Sequence, residues 1–319
     1  MRLPQPQLES VCFLFESPSE LIQAIGDECS PDEADEIRRL YELDLPPVTS
    51  QESLSVIFGY NPGFVWSLLN RTRKHYRHFE IPKGAGQREI EAPRVALKAI
   101  QKWLSYHLQR VWGPNEHVFG FVPGKSHIDA AAKHLSAEWV YSVDIENFFP
   151  SIPIDRVREA FRSTGYQTEE SVKILSTLCC LNQHLVQGSP TSPVLSNIVL
   201  QNVDQQLASI AAEGNFVFTR YADDIVFSGG GEVPREALTQ IKSVVTDDGW
   251  TLSARKERLT ESPNRLKVHG LLVHGDKLRL TKGYRNRIRA YRHLLNNGKI
   301  REGDLDKIKG HLNYSSQVE

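Results

Sequence analysis

The sequence predicts an α+β fold, in which helices pack around a small antiparallel sheet. Two apolar stretches indicate the sheet: WVYSVDIENFF at 139–149 begins as a buried strand, and FVFTRYADDIVFS at 216–228 is typical of two strands joined at paired aspartates. Segments with helical spacing alternate with these strands. The chain of 319 residues is long enough for a large core and two or three structural units.

The part of the chain before these strands predicts helices and one hairpin. In SPDEADEIRRLYEL at 30–43, Ser30 can cap a helix, Pro31 fits its first position, and Glu33 completes a capping box. The sequence YRHFEIPKGAGQREIEA predicts a basic hairpin that turns at its glycines. The segments assigned are helices at 50–58, 62–71 and 94–111, with the hairpin at 76–92.

The remainder of the chain predicts further helices and short strands. We expect helices at 155–163, 168–180, 191–212 and 234–249, the last ending in a turn, and strands at 250–253, 265–273 and 277–280. The segment 283–295 has helical spacing with two different faces. One face carries Tyr284, Ile288, Tyr291, Leu294 and Leu295, and Arg285, Arg289 and Arg292 lie toward the other.

Composition predicts a soluble globular protein, with 40% hydrophobic and 24% charged residues. No apolar run approaches the roughly 18 residues of a membrane span, and MRLPQPQLES lacks the pattern of a signal peptide. None of the four cysteines forms a CxxC pair, which argues against a zinc site. We therefore expect a reduced, cytoplasmic protein with no membrane partner.

Charge is unevenly distributed, although the net charge is only −1. Residues 1–55 carry three basic and twelve acidic side chains, whereas residues 71–110 carry ten basic and three acidic ones. Residues 251–319 carry sixteen basic and seven acidic side chains. An acidic head thus precedes two basic segments. The lysines and arginines of these segments either keep the surfaces of helices solvated or bind a polyanion.

Paired carboxylates in an apolar hairpin need an explanation, because like charges repel unless a cation lies between them. Asp223 and Asp224 could belong to a plain β-turn, or they could hold Mg²⁺, which takes one or two carboxylates together with substrate phosphates. Asp144 ends the strand of the other stretch. If that strand pairs beside the hairpin, the carboxylates can share two metal ions, the arrangement that polymerases use.

A third stretch, QGSPTSPVLSNIVL at 187–200, lies between these two. Gly188 would let the backbone approach a base closely, and Gln187 could hydrogen-bond to nucleotide or template. In this order, Asp144, QGSPTSP and YADD resemble the palm motifs of reverse transcriptases. The resemblance implies a right-hand polymerase architecture. Its segments would be an acidic helical extension at 1–55, fingers at 56–135, a palm at 136–275 and a basic helical thumb at 276–319.

The resemblance also implies roles for individual residues. Asp144, Asp223 and Asp224 would be the catalytic ligands of two Mg²⁺ ions, together with the backbone of Ile145. Phe149 falls where the family keeps a steric gate against ribonucleotides, although core packing is its alternative.

Basic residues would contact the triphosphate of an incoming deoxynucleotide. Lys83 and Arg88, in the hairpin, are the candidates for the bound triphosphate, and Lys256 is the candidate for the leaving pyrophosphate. A solvated surface is the alternative for each of the three.

Within the superfamily, the chain most resembles bacterial retron reverse transcriptases. The stretches that carry this resemblance are IPKGAGQREIEAP at 81–93, HVFGFVPGKSHIDAAAKH at 117–134 and KVHGLLV at 267–273. Two positions depart from the retron pattern: Ala130 stands where asparagine is expected, and His269 stands where threonine is expected. His134 matches the retron pattern. It could contact RNA, or it could be a core residue.

The retron resemblance implies a specific reaction and specific partners. The enzyme would bind a structured noncoding RNA, prime from the 2′-hydroxyl of a guanosine, and make a short single-stranded DNA attached through a 2′,5′ branch. The basic region 277–309 would read the RNA, with Tyr284, Arg285, Arg289 and Arg292 on its helix. The implied role is antiphage defence together with a separate effector protein.

Two other readings stay open. The chain could be another template-directed polymerase. It could be a reverse transcriptase of the group-II-intron or abortive-infection type, although no maturase region is evident, or an RNA replicase, although Phe149 argues against the use of ribonucleotides. It could also be a nucleic-acid-binding scaffold that regulates an effector, with the acidic head as a docking surface. The intact aspartates argue against a palm that has lost catalysis.

Overall fold

The computed structural model describes residues 15–83, 86–298 and 300–318, without the side chains of Lys83 and Glu302. The chain divides into two compact units, each built from two stretches. The first unit is Met1–Pro114 with Asn147–Gln201, and the second is Asn115–Glu146 with Asn202–Glu319. The four consecutive segments expected from the sequence remain a prediction.

Helices and short strands alternate through the described residues, which confirms the predicted α+β class. In chain order the α-helices are α1 (Pro18–Ile25), α2 (Pro31–Glu42), α3 (Gln51–Phe58), α4 (Pro62–Asn70), α5 (Val95–Val111), α6 (His127–Ala132), α7 (Ile154–Thr164), α8 (Glu169–Cys179), α9 (Ser192–Val199), α10 (Gln201–Glu213), α11 (Arg235–Asp247), α12 (Lys282–Asn296) and α13 (Leu305–Val318).

The strands are short outside one hairpin. They are β1 (Tyr76–Lys83), β2 (Gly86–Pro93), β3 (Trp139–Asp144), β4 (Cys180–Leu181), β5 (His184–Leu185), β6 (Val217–Tyr221), β7 (Asp224–Gly229), β8 (Arg258–Glu261), β9 (Lys267–Val268), β10 (Leu271–Leu272) and β11 (Arg279–Leu280).

The start of α2 shows how local sequence sets a helix boundary. Ser30 has an extended backbone, and its hydroxyl accepts a hydrogen bond from the Glu33 amide at 3.2 Å, as predicted. The predicted capping box is wrong, because the Glu33 carboxylate accepts instead from the Thr49 hydroxyl at 2.7 Å. Ile37 and Leu40 form the buried face of this helix.

In the first unit, the hairpin and the QGSP loop are tied to the helical core. Strands β1 and β2 pair antiparallel, as the sequence predicts, and the turn residues 84 and 85 lie outside the described chain. The Gln101 amide on α5 donates to the Tyr76 hydroxyl at 2.8 Å and to the Leu178 carbonyl at 2.7 Å. Its oxygen accepts from Ser189 at 2.9 Å, so one buried side chain connects three elements of the first unit.

The central sheet of the second unit is four-stranded, in the order β6-β7-β3-β8, with antiparallel neighbours. Buried residues such as Val140 and Val143 make β3 an interior strand. In the β3–β7 register, Asp144 lies opposite Asp224. The pairing of the 139–149 strand beside the 216–228 hairpin is therefore confirmed.

A second, smaller sheet packs with the C-terminal helices. Its three strands have the order β11-β10-β9. Tyr284 on α12 and Tyr314 on α13 pack against a buried apolar cluster that spans both sheets. The cluster consists of Ala131, Val140, Val226, Leu266, Val268, Leu271, Val273 and Leu280.

Several expectations differ from the structure. The segment 265–273 is not one strand; it contains β9 and β10, which pair with each other across a two-residue turn. The segment 250–253 is not a strand; Leu252 makes one isolated bridge to Ile145, and the edge partner of β3 is β8. The segment 191–212 is two helices that meet at Leu200. Helices α6 and α13 were not predicted, because neither shows a strong apolar period. Among the described residues, no helix is long and apolar enough to cross a membrane.

Candidate active site

Three aspartates of the second unit meet at one end of the central sheet. Asp144 is the last residue of β3, Asp224 is the first residue of β7, and Asp223 lies in the turn between β6 and β7. The Ile145 amide donates to the Asp223 carbonyl at 3.1 Å and thereby ties the turn to the end of β3. Ala222 sits in the turn with φ +58°, the left-handed region.

The electrostatics of this end of the sheet favour a bound cation. Burial, followed by the charge of Asp144, raises the pKa of the Asp223 carboxyl, and Lys256 acts in the opposite direction. The Lys256 ammonium lies 2.5 Å from Asp144 Oδ1. The side chains of Asp144 and Asp224 are 13% and 39% exposed, so oxygen atoms of both can reach a ligand from solvent.

The donor set fits magnesium rather than a closed transition-metal cage. Among the described residues, no three His, Cys, Asp or Glu side chains lie close enough together to hold a metal ion by themselves. Mg²⁺ takes oxygen ligands, keeps several waters and is commonly held by one or two carboxylates plus substrate phosphates. The carboxylates at the ends of β3 and β7 supply such oxygens, so the residues present fit that ion.

A buried ion pair supports the turn that carries Asp223. The Arg220 guanidinium donates to both carboxylate oxygens of Asp204 on α10. The two side chains are 0% and 1% exposed. A third bond runs from Arg220 to the Ala222 carbonyl at 3.0 Å. Sequence reasoning assigned Arg220 only to a strand; its charge within an apolar run was the signal that could have identified this pair.

Gly120 packs directly on the same turn. The Phe119 amide donates to the Arg220 carbonyl at 2.9 Å, which brings this segment alongside β6. A Cβ atom at Gly120 would lie 2.1 Å from the Ala222 amide nitrogen and 2.8 Å from the Tyr221 carbonyl carbon. Only glycine allows this approach of two backbones.

The structure corrects the RNA contact expected of His134. Its side chain is fully buried, and its two ring nitrogens lie 2.7 Å from the hydroxyls of Ser228 and Thr219. Burial, with a smaller effect of His269, lowers the pKa of His134 to about 3. The residue therefore joins β6 and β7 as a neutral core histidine, the alternative weighed from the sequence.

His269, one of the two positions that depart from the retron pattern, lies against the Asp224 carboxylate. Its Nδ1 is 3.0 Å from Asp224 Oδ2. No local pattern predicts this contact, because 45 residues separate the two side chains.

The candidates Gln187 and Gly188 belong to the first unit. The Gln187 carbonyl accepts from the Glu91 amide at 2.9 Å. Gly188 has φ +126°, and a Cβ atom there would lie 2.8 Å from the Glu91 carbonyl oxygen. The structure thus gives Gly188 a close backbone approach to the β1–β2 hairpin, and its contact with a nucleotide remains a prediction.

The roles of the other candidate nucleotide-binding residues of the first unit also remain predictions. Phe149 is half-buried in the turn after β3, with its ring 5.2 Å from that of Phe148. Arg88 lies on β2 opposite Ile81 and is half-buried. The Lys83 side chain lies outside the described atoms.

The predicted RNA-contacting helix is α12 of the second unit. Arg285, Arg289 and Arg292 are all exposed on it. Tyr284 lies instead in the contact with α13, where its hydroxyl is 2.7 Å from His311 Nδ1. The three arginines thus form an accessible basic surface, whereas Tyr284 holds two helices together.

Comparisons with known proteins place these features in a family. A family profile described as "Reverse transcriptase (RNA-dependent DNA polymerase)" matches residues 81–275. Retron Mx65 reverse transcriptase of Myxococcus xanthus is 30% identical over an alignment of 305 positions that covers 88% of this chain and 69% of that relative. Retron Ec86 reverse transcriptase of Escherichia coli is 26% identical over 285 residues, 88% of each chain.

Solved structures give a more distant similarity. An apo telomerase from Candida tropicalis, truncated from its C-terminal domain, has 11% sequence identity and a TM-score of 0.47 to this chain. The similarity covers 70% of this chain and 61% of the telomerase chain.

Proposed function

This chain belongs to the reverse transcriptase family and is an RNA-directed DNA polymerase, and from that premise we propose that it is the polymerase of a retron. The observation that carries this proposal is the similarity to retron reverse transcriptases over most of the chain. It would copy part of a partner noncoding RNA into a short single-stranded DNA joined to that RNA through a 2′,5′ branch.

Catalysis would use two Mg²⁺ ions held by Asp144, Asp223, Asp224 and the Ile145 carbonyl. When bound, such ions activate the attacking hydroxyl and stabilise the departing pyrophosphate. Support comes from the pairing of Asp144 with Asp224 at the end of the sheet and from the position of Asp223 in the adjoining turn. Burial, followed by the charge of Asp144, raises the pKa of Asp223, and a nearby cation would offset both effects. Lys256, 42% exposed beside Asp144, would bind the departing pyrophosphate.

The first unit would supply the contacts to the incoming deoxynucleoside triphosphate. Lys83 and Arg88 would bind its phosphates, and Gln187 and Gly188 would contact nucleotide or template. Phe149 would exclude the ribose 2′-hydroxyl. The placement of Gln187 against the backbone of β2 supports a common role for the loop and the hairpin.

The partner RNA would lie on the basic surface of α12. Its exposed arginines can neutralise phosphates, which supplies sequence-independent affinity. The RNA–DNA product would hold a separate effector protein in check as part of a cytoplasmic antiphage system. That assignment rests on the retron resemblance.

The product tests this proposal. The chain would be expressed from its native locus with a few hundred flanking base pairs, purified, and half of the extract treated with RNase. A retron enzyme yields a discrete short DNA. RNase treatment removes the attached RNA and lowers the mass of this product, but the DNA itself remains. The Asp223→Asn variant yields no such DNA. Primer extension on an added RNA template without any such DNA would leave a reverse transcriptase of another type.

That other type is the second candidate, and two observations favour it. Ala130 and His269 depart from the retron pattern. Ala130 is completely buried in α6, where asparagine would need a hydrogen-bond partner. A scaffold role toward an effector is compatible with either polymerase.

A further inference from the structure

The side chain of His269 is held against one catalytic carboxylate. Its Nδ1 lies 3.0 Å from Asp224 Oδ2, and the side chains of His269 and Asp224 are 6% and 39% exposed. The carboxylate thus faces solvent with one oxygen already engaged from the protein side. The histidine itself is too enclosed to bind substrate directly.

The second ring nitrogen shows which atom carries the hydrogen. His269 Nε2 is buried and has no hydrogen-bond partner among the described residues. A neutral imidazole has one donor and one acceptor nitrogen. Since only Nδ1 faces an acceptor, the hydrogen belongs on Nδ1, where it is donated to Asp224.

The backbone at His269 is strained in a way that brings the side chain to this place. His269 and Gly270 form the two-residue turn between β9 and β10, with φ +48° and +84°. Two consecutive positive φ values are typical of a type I′ hairpin, for which asparagine or glycine is favoured. Most side chains are disfavoured in this region, so the conformation of the turn alone does not explain a histidine here.

The turn is fixed on both sides. Val268 and Leu271, which flank it, are each only 1% exposed in the apolar cluster. The His269 ring also packs 5.4 Å from the ring of Tyr221, which precedes the aspartate turn. The imidazole therefore cannot swing away from the carboxylate without disturbing packed neighbours.

We infer that His269 is a positioning residue for catalysis: its Nδ1–H fixes Asp224 Oδ2, so that Oδ1 is oriented for a divalent cation. Groups that orient a metal-binding carboxylate typically change metal affinity or activity by about 10–100-fold when they are removed. The inference rests on the proposed metal-dependent function of the three aspartates. It assigns a role to one of the two positions at which this chain departs from the retron pattern.

Three variants test the role of the donor. His269→Gly accepts the positive φ but removes the imidazole, and His269→Asn accepts it while keeping an N–H donor. His274→Gly makes the same chemical change at an exposed histidine five positions away and serves as the matched control. Each is assayed for Mn²⁺ binding by electron paramagnetic resonance without nucleic acid, and for the Mg²⁺ concentration that gives half-maximal primer extension.

We expect His269→Gly to weaken Mn²⁺ binding and to raise the half-maximal Mg²⁺ concentration by about 10-fold or more. His269→Asn should recover most of both, and His274→Gly should match the parent protein. In an Asp224→Asn background, His269→Gly should add no further loss, because the histidine acts through that carboxylate. Unchanged metal dependence in folded His269→Gly would overturn the inference.

A measurement on the unaltered protein covers the case in which His269→Gly does not fold. Nitrogen-15 histidine spectra, assigned by the signal lost in His269→Asn, report which ring nitrogen carries the hydrogen. A hydrogen on Nε2 instead of Nδ1 would equally refute the positioning role. If Asp223→Asn binds Mn²⁺ as tightly as the parent protein, the two-metal proposal itself is wrong, an outcome distinct from failure at His269.

Discussion

The Arg220 guanidinium and the Asp204 carboxylate form a two-pronged ion pair, with N–O distances of 2.6 Å and at most 1% exposure. Asp204→Asn leaves a buried guanidinium without an opposing charge. We expect it to lower the free energy of unfolding by about 3–5 kcal/mol, as measured by urea unfolding. The variant should also lose DNA synthesis, because Arg220 holds the Ala222 carbonyl in the aspartate turn.

A surface pair provides the control for this first prediction. Asp35 lies 2.5 Å from Arg38, but these side chains are 78% and 53% exposed. Asp35→Asn should cost only a small fraction of the loss seen with Asp204→Asn, because water screens exposed pairs. Equal losses in the two variants would contradict a structural role for the buried pair.

The contact between Gly120 and the aspartate turn makes a prediction about rate. In Gly120→Ala the added methyl would lie 2.1 Å from the Ala222 nitrogen, so one of the two backbones must move. A misplacement of about 1 Å can lower a rate about 100-fold, and primer extension should fall on that scale. Gly230→Ala, with nothing within 4 Å of its added methyl, should retain the parent rate. A fully active Gly120→Ala variant would show that the turn tolerates displacement.

The buried histidine of the β6–β7 hairpin predicts a pH dependence of stability. Burial, with a smaller effect of His269, lowers the pKa of His134 to about 3 in the folded protein, against about 6.5 when unfolded. The unfolded state therefore takes up the proton first as the pH falls, and stability is lost below about pH 6.5. The contribution of His134 should shrink by about 2 kcal/mol between pH 7 and pH 5.

Urea unfolding of the parent protein and His134→Gln at both pH values isolates this contribution. Glutamine keeps a donor and an acceptor but does not titrate. Burial also lowers the pKa of His75, His107 and His127, and these groups act equally in both proteins. Identical losses on acidification would mean that His134 is not the neutral group of the folded state.

The predicted sugar gate makes a prediction about substrate choice. If the Phe149 ring blocks the ribose 2′-hydroxyl, Phe149→Ala should raise incorporation of ribonucleotides relative to deoxynucleotides by about 10–100-fold. Competing single-nucleotide extensions measure this ratio. Phe79→Ala removes a 45% exposed ring elsewhere in the first unit and should leave the ratio unchanged. Unaltered selectivity in Phe149→Ala would leave core packing as the explanation of that ring.

The sequence predicted the parts of the fold that have a local signal. Runs of apolar, β-branched and aromatic residues identified β3, β6 and β7. The pairing of β3 beside the β6–β7 hairpin, on which the shared metal site depends, is observed. Strand β8 was not predicted, because RLTE at 258–261 becomes a strand only by pairing with β3. Helix α13 has a largely polar composition. Its contact with the apolar cluster, through Tyr314 and Val318, depends on the tertiary fold.

The candidate site was predictable only in its carboxylates and Lys256. The aspartates and Lys256 fall in recognisable stretches, and the structure brings Lys256 to Asp144. The residues that support the aspartates do not fall in such stretches. Asp204 precedes its partner Arg220 by 16 positions, and His269 follows Asp224 by 45 positions. Such contacts depend on the tertiary fold and leave no spacing in the sequence. His134 shows the opposite case, a recognisable position whose role depends on burial that the sequence cannot reveal.

DNA synthesis by this chain is expected to depend on the carboxylates of Asp144, Asp223 and Asp224. The most direct test of this dependence is primer extension on a synthetic RNA template by Asp223→Asn and Asp144→Asn, with RNA binding measured in parallel. Asp276→Asn, at an exposed position of the second unit, is the control. We predict a loss of synthesis of about 1,000-fold in both active-site variants, with RNA binding and the control unchanged. DNA synthesis at the parent rate by either variant would contradict the account.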